Sequence, residues 1–160
     1  MIRPAEIQKK ANKEKVRDSQ IEKDYILTWI LTGVANNEAL SQALAFKGGT
    51  VLKKFYFKDY RYSEDLDFTL VDDRLSNDEI QNAFKEVFLY VREEANIPLS
   101  MEDFGIHETG NINFYISYVG PLDDYFGIDN SEQAFINGLI KPMEPNAAKG
   151  KCLNSDWLAI

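Results

Sequence analysis

The sequence is poor in several residues on which whole classes of protein depend. It has a single cysteine, Cys152, which excludes an internal disulfide, and a single histidine, His107, to which we assign no role. Lysine and arginine number 18 against 26 acidic residues, so the net charge is −8. That balance argues against a protein that coats nucleic acid through a general positive field, because such binding relies on basic side chains replacing counterions. Any contact with a polyanion must therefore be local.

Long apolar runs are also missing. The longest, residues 25–34, is interrupted by Thr28 and Thr32, and it falls well short of the roughly 20 residues needed to cross a bilayer. The first residues lack the apolar run of a secretory signal. We therefore expect a cytoplasmic protein with no membrane span.

The basic residues that are present form two groups along the chain. The first lies before residue 25 and comprises Arg3, Lys9, Lys10, Lys13, Lys15, Arg17 and Lys23. The second comprises Lys47, Lys53, Lys54, Lys58 and Arg61. These two basic patches are where we expect a polyanion to dock.

The chain has enough apolar material for one hydrophobic core. Of its 160 residues, 44% are hydrophobic, and ten are phenylalanine, so burial can offset the entropy lost on folding. We predict one domain over residues 1–140, with its core at about 20–132. Residues 141–160 have no sustained period and are predicted to form an irregular tail.

Helical patterns dominate the first third of the chain. We predict a weakly packed helix within residues 3–17, a buried helix from Ile21 to about Asn36, and a short helix at residues 38–43. The apolar run 44–46 is typical of a strand or of the end of that helix. The glycines after it break the pattern, and Thr50 is predicted to cap a helix over 51–57.

Later segments favour a small sheet and one long helix. Residues 66–71 alternate polar and apolar side chains, as a half-buried strand does. Ser76 and Glu79 form a capping box, and a helical apolar stripe follows: Ile80, Ala83, Phe84, Val87, Phe88 and Val91. Segments 99–108 and 112–119 are predicted to pair as a hairpin. These elements predict the α+β class.

Asp65 and Asp67 are the clearest candidates for chemistry. Alternate residues of a strand project from one face, with Cα atoms roughly 6 to 7 Å apart. Two such carboxylates suit Mg²⁺, which takes one or two protein oxygens together with waters and substrate phosphates. Taken alone, the pair could equally be the solvated face of a strand.

The glycine pair at 48 and 49 shifts that balance. Without a Cβ, Gly48 and Gly49 allow backbone N–H groups to approach a phosphate closely at the start of a helix. The pair could also form only a tight turn. Its combination with Asp65 and Asp67 favours a phosphate-binding turn opposite a metal site.

Two segments carry a family resemblance. The run Phe46-Lys-Gly-Gly-Thr-Val-Leu-Lys-Lys54, followed by Arg61-Tyr-Ser-Glu-Asp-Leu-Asp67, closely resembles the AbiEii-type nucleotidyltransferase toxins. Residues 22–31 and 118–122 are similar to further segments of that family, so the resemblance spans about residues 20–132. It implies a DNA polymerase β-like nucleotidyltransferase core, with a small mixed sheet flanked by helices.

The resemblance also implies roles for individual residues. Gly48, Gly49 and Thr50 would hold the triphosphate of a nucleoside triphosphate, and Ser63 would fix the loop before the metal strand. Asp65 and Asp67 would bind Mg²⁺ or Mn²⁺. The implied reaction is transfer of a nucleotide to an RNA (tRNA-like) or protein hydroxyl, within a toxin–antitoxin system that includes a cognate antitoxin protein.

Four further residues are candidates for the same site. Lys47, Lys53 and Arg61 are placed to neutralise phosphate charge, although each could equally be an exposed cation. A third carboxylate usually completes such sites and can take a proton from the attacking hydroxyl. Residues 127–132 resemble the family strand that carries it, which makes Asp129 our candidate for a catalytic acid.

The sequence departs from the family in its last part, where the resemblance implies a helical region that residues 141–160 do not match. A second hypothesis is therefore a shortened, catalytically inactive protein that binds nucleotide or a partner. A third is an unrelated α+β binding module whose acidic residues form a solvated face. Metal affinity separates this third hypothesis from the other two.

Overall fold

The structure is a computed structural model. It describes residues 1–71, 74–106 and 111–123 and the backbone of a strand at 133–136. Predictions for His107, Asp129, Cys152 and the tail 141–160 lie outside the described residues. The α+β class predicted from the sequence is confirmed.

The described residues form five helices, of which the first, second, third and fifth lie close to the predicted positions, while the fourth begins earlier than predicted. They are α1 (Pro4–Glu14), α2 (Asp18–Asn36), α3 (Glu38–Ala43), α4 (Gly48–Val51) and α5 (Asn77–Ala95). Helix α4 continues directly into a π-helical turn at Leu52–Tyr56. The capping box at the start of α5 is present, with the Ser76 side chain accepting from the backbone of Glu79. None of the described helices has the length and apolar character needed to span a bilayer.

The strands form two small antiparallel sheets. In the first, β1 (Leu44–Lys47) pairs with β2 (Asp67–Leu70); in the second, β3 (Leu99–Ile106), β4 (Ile112–Tyr118) and β5 (Gln133–Ile136) pair in that order. The predicted hairpin is β3 and β4. Every described strand pair is antiparallel, where a mixed sheet was expected. The chain leaving β1 turns back through α4 and loop 57–66 instead of making the crossover that parallel pairing requires.

One large core lies between the helices and the sheets. Helices α2 and α5 pack against each other, and the whole predicted stripe of α5 is buried. Phe68 of β2 lies in this core and packs against the rings of Phe46 and Phe84, whose centroids are 5.5 and 6.4 Å away. Buried aromatic and aliphatic groups of this kind each stabilise a fold by about 1.5–3 kcal/mol. These contacts hold strand β2 in place on its core-facing side.

Helix α1 is not weakly packed, and that prediction is wrong. Ile7 and Ala11 are fully buried in a second cluster with Ile21 and Leu122. The apolar positions are four residues apart and form a narrow stripe on one face, which the many charges around it obscure in the sequence. The helix is thus a fixed wall of the domain.

The predicted cap at Thr50 is also wrong. Helix α4 begins at Gly48, and Lys47 occupies the N-cap position, where its side chain makes no capping hydrogen bond. The Thr50 hydroxyl, buried within the helix, instead donates to the backbone carbonyl of Asp65 at 2.6 Å. The Thr50 hydroxyl thus makes a tertiary hydrogen bond instead of capping the helix.

Candidate active site

Gly48 lies directly against the carboxylate of Asp67. The β1–β2 register pairs Lys47 with Asp67, so the turn that follows β1 must pass over the start of β2. Gly48 has a φ of +83°, in the region that favours glycine. A Cβ at this position would overlap Asp67 Oδ2 and lie 2.9 Å from Cγ. Both the conformation and the space therefore require glycine here.

The next two residues of the turn contact the same acidic segment. A Cβ on Gly49 would lie 3.0 Å from the Ser63 hydroxyl oxygen. Thr50 donates to the carbonyl of Asp65, as described above. Three successive residues, 48 to 50, thus contact the loop and strand that carry both aspartates. The turn and the aspartates form one unit.

Asp65 and Asp67 project from the same side of the chain. Leu66, Phe68 and Leu70 are buried in the core, while residues 65, 67 and 69 are only partly buried. This alternation confirms the half-buried strand predicted from the sequence. The carboxylates therefore lie on the face away from the core.

The position of the two carboxylates disfavours their charged forms. Burial raises the pKa of Asp65 above its ordinary value, and the Glu64 carboxylate adds to that rise against the opposing charges of Arg61 and Lys23. Burial also raises the pKa of Asp67, and Asp65 adds to it while Lys47 opposes it. The two aspartates repel each other, and a bound cation would relieve this repulsion.

The residues present fit a hard divalent cation. Asp65 and Asp67 supply carboxylate oxygens, which Mg²⁺ prefers, and the absence of a Cβ on Gly48 lets the Asp67 carboxylate lie directly against the turn. Among residues 1–71, 74–106 and 111–123, no group of three or more acidic, histidine or cysteine side chains is placed to hold a metal. One or two carboxylates are enough for Mg²⁺ when substrate phosphates and water supply the remaining ligands, so this pair can hold the ion with a nucleotide.

A large cleft opens beside Asp65. Its volume is about 1100 Å³, and Ser63 and Asp65 contribute to its wall. The rest of the wall comes from α1, the first half of α2, the π-helical turn and loop 57–66. Its basic residues come from both patches identified in the sequence: Lys10, Lys13, Lys53, Lys54, Lys58 and Arg61. The fold has brought part of each patch together next to Asp65.

Two of these lysines are held by neighbours. Lys54 donates to the Asp24 carboxylate and to the Thr28 hydroxyl, at 2.7 Å each, so its charge is largely compensated. Lys53 donates to the carbonyl of Lys58 at 2.8 Å, and its Nζ lies 4.4 Å above the ring of Tyr62. These contacts fix the π-helical turn against the loop that follows it.

Tyr62 joins the same loop to helix α1. Its hydroxyl donates to the carboxylate of Glu14. Burial, and after it this hydrogen bond to Glu14, raises the pKa of Tyr62 far above its ordinary range. The phenol therefore stays protonated as a donor, and α1 is tied to the wall of the cleft.

The predicted site residues fall into three groups. Seven come together around the turn: Lys47, Gly48, Gly49, Thr50, Ser63, Asp65 and Asp67. Arg61 is exposed in the cleft wall, and its charge acts on Asp65. Lys53 lies farther along the same wall, and its hydrogen bond and ring contact are made with Lys58 and Tyr62. The remaining candidate, Asp129, lies outside the described residues.

Sequence reasoning missed the contribution of α1 and of the tyrosines to this site. The sequence identifies Lys10 and Lys13 only as part of a basic patch, and it does not single out Tyr60 and Tyr62. The sequence feature that could have indicated this contribution is the mixture of aromatic and basic residues in segment 53–62. It becomes interpretable only when the fold places α1 opposite that segment.

A family model described as "Nucleotidyl transferase AbiEii toxin, Type IV TA system" matches residues 29–129. The matched region contains the glycine turn, both aspartates and most of the core. Helix α1 and the first part of α2 precede it. No curated protein matches the sequence.

Proposed function

The chain belongs to the AbiEii family of nucleotidyltransferase toxins, and we propose that it transfers a nucleotide from a nucleoside triphosphate to a hydroxyl group of RNA or protein. The observation that carries this proposal is the contact between Gly48 and Asp67. It sets a turn able to approach phosphates closely against a half-buried pair of carboxylates.

We propose that Asp65 and Asp67 hold Mg²⁺ or Mn²⁺. When bound, such an ion stabilises negative charge on phosphate oxygens. The carboxylates are held ready for it because Phe68 fixes the strand from the core side and Thr50 fixes the carbonyl of Asp65. Preorganisation of this kind lowers the cost of assembling the site when substrate binds.

The remaining residues of the turn serve the triphosphate. The backbone of Gly48, Gly49 and Thr50 approaches its oxygens, and Lys47 and Arg61 offset its charge. Ser63 packs against Gly49 and keeps the loop in place. Lys53 contributes positive charge from the cleft wall.

The reaction is a substitution at the α-phosphorus. The acceptor hydroxyl oxygen forms a bond to that phosphorus, the bond to the bridging oxygen of the β-phosphate breaks, and pyrophosphate leaves. The hydroxyl proton passes to a base, for which Asp129 remains our candidate. The enzyme would act in the cytoplasm, where such a modification of an RNA or protein blocks growth until a cognate antitoxin counters it.

The experiment that tests this function is a transfer assay with α-labelled and γ-labelled nucleoside triphosphates, Mg²⁺ or Mn²⁺, and total cellular RNA and protein. Label from the α position should enter an acceptor, while label from the γ position should leave with pyrophosphate. The Asp65→Asn, Asp67→Asn double variant should transfer nothing. Asp59→Asn, which alters an exposed carboxylate of the same cleft, should retain activity.

Two outcomes would contradict this proposal. Transfer that survives in the double variant would show that the aspartates are not the site. Metal-dependent nucleotide binding without any transfer would leave a protein that keeps the family fold and binds nucleotide without turnover.

A further inference from the structure

A row of three aromatic rings leads from the cleft to the surface. Tyr60 lies in the cleft wall, its ring centroid is 6.3 Å from that of Phe57, and Phe57 is 6.4 Å from Tyr56. Phe57 and Tyr56 are 57% and 70% exposed. Large aromatic side chains exposed to this degree lower the solubility of a protein. Groups of them on a surface are typical of a ligand-binding site.

The row is held in place by its backbone. The N–H of Phe57 donates to the carbonyl of Leu52 at 2.8 Å, and that of Tyr60 donates to the carbonyl of Phe57 at 3.0 Å. Lys53 closes the turn by donating to the carbonyl of Lys58. The backbone that carries the rings therefore needs little further ordering when something binds to them.

The cleft beside the row has a locally positive character in a chain whose net charge is −8. Lys10, Lys13, Lys58 and Arg61 are all exposed there. Three of the acidic residues in the wall are already engaged: Glu14 accepts from Tyr62, Asp24 from Lys54, and Glu64 from Lys23. Among the exposed charged residues of the wall, four are basic, and two, Glu14 and Asp59, are acidic, so the surface that would meet a ligand has an excess of positive charge, which complements a polyanion.

We propose that the cleft and the Tyr56–Phe57–Tyr60 row bind a single-stranded polynucleotide, with its phosphates along the lysines of α1 and its bases on the rings. Aromatic rings beside a positive groove bind unpaired bases, because every base offers a π face and every linkage a charge. The acidic end of the cleft at Asp65 would receive the terminal hydroxyl. That last step rests on the proposed function, whereas the binding itself does not.

The test is the fluorescence anisotropy of a short, labelled, unstructured RNA, without nucleoside triphosphate and with a chelator present. The Tyr56→Ala, Phe57→Ala variant should bind at least about fivefold more weakly for each base it no longer stacks. Leu89→Ala should match the wild type, since Leu89 is an equally exposed apolar residue, 58% accessible, on α5. Both substitutions remove exposed side chains, so both variants should fold.

The lysines are tested separately by salt. Lys10→Ala, Lys13→Ala should reduce the slope of log affinity against log salt by about 0.7 for each phosphate that the variant no longer neutralises. Lys9→Ala is the matched control, because Lys9 lies on the same helix and is exposed but does not contribute to the cleft wall. It should leave the slope nearly unchanged.

Three results would overturn the proposal: no binding of single-stranded RNA, binding of a duplex of the same sequence as tightly as the single strand, or equal reductions of affinity in the variants and their controls. The Asp65→Asn, Asp67→Asn double variant should bind the RNA at least as tightly as the wild type, because it removes negative charge from the end of the cleft, so failure of catalysis and failure of this inference are distinguishable. If the protein transfers a nucleotide to a protein acceptor and does not bind RNA, the proposed activity stands, and the proposal that this surface binds the acceptor is wrong.

Discussion

The α-carbon of Gly48 lies so close to the Asp67 carboxylate that a single methyl group cannot be placed between them. This relationship joins the two halves of the site, the turn after β1 and the start of β2. Glycine is required at the position in both respects, since the residue also has a positive φ. The site should therefore respond sharply to small changes at the turn and at the aspartates.

Gly48→Ala should disable the site. The methyl group would displace the Asp67 carboxylate, and a non-glycine residue at positive φ costs about 1–2 kcal/mol of stability. Gly49→Ala is the graded comparison, because its methyl group would meet the Ser63 hydroxyl at 3.0 Å, and that side chain can turn away. Metal-dependent nucleotide binding should be lost in the first variant and only weakened in the second. Equal binding by both variants would contradict the role of this contact.

Asp67→Asn should stabilise the metal-free protein at neutral pH. Burial, with Asp65, raises the pKa of Asp67 in the folded state, so this group favours folding below its unfolded pKa of about 3.9 and loses that contribution as pH rises through the folded value. Melting curves with a chelator should show a higher Tm for the variant near neutral pH and no difference at acid pH. Mg²⁺ should raise the Tm of the wild type but not of Asp67→Asn. Asp59→Asn serves as the control.

Thr50→Val should weaken the strand that holds Asp65. The substitution keeps the shape of the buried side chain and removes the hydroxyl that donates to the carbonyl of Asp65 at 2.6 Å. Leaving that carbonyl without its donor should cost about 1–3 kcal/mol in urea unfolding. Thr50→Ser retains the hydroxyl and should recover most of the metal affinity. If the Thr50→Val and Thr50→Ser variants have the same free energy of unfolding and the same metal affinity, the hydrogen bond has no part in positioning Asp65.

Glu22 should hold the segment that follows β4. Its side chain is 4% exposed and accepts a hydrogen bond from the backbone N–H of Leu122 at 2.7 Å. Its carboxylate also lies against Gly120. Glu22→Ala should lower the free energy of unfolding by about 1–3 kcal/mol, while Glu22→Gln keeps an acceptor and should lose less. An unchanged stability in the alanine variant would show that α2 does not depend on this contact.

Much of the fold could be predicted from local signals. The capping box at Ser76 and Glu79 and the stripe from Ile80 to Val91 define α5, because both are periodic within one helix. Helix α3 begins and ends at the predicted residues. The glycine pair and Asp67 could be assigned to one site without knowledge of their contact. Glycines at the start of a helix suit phosphate and paired carboxylates suit a metal ion, and both features can be identified from residue type alone.

The features that escaped prediction depend on partners far away in sequence. The Thr50 hydroxyl bonds to Asp65, 15 positions along the chain, so a local capping rule could not identify its role. The cleft arises only when α1 packs through Ile7 and Ala11 and brings its lysines opposite the π-helical turn. Nothing in the local pattern of either segment specifies that approach.

The most direct test of the proposed site is calorimetric titration of a non-hydrolysable nucleoside triphosphate into the protein, with Mn²⁺ or with a chelator. We expect binding by the wild type and by Asp59→Asn that requires the metal, and none by the Asp65→Asn, Asp67→Asn double variant. Binding that persists unchanged in the double variant, or that is absent from the wild type with metal present, would contradict a metal–nucleotide site formed by Gly48, Asp65 and Asp67.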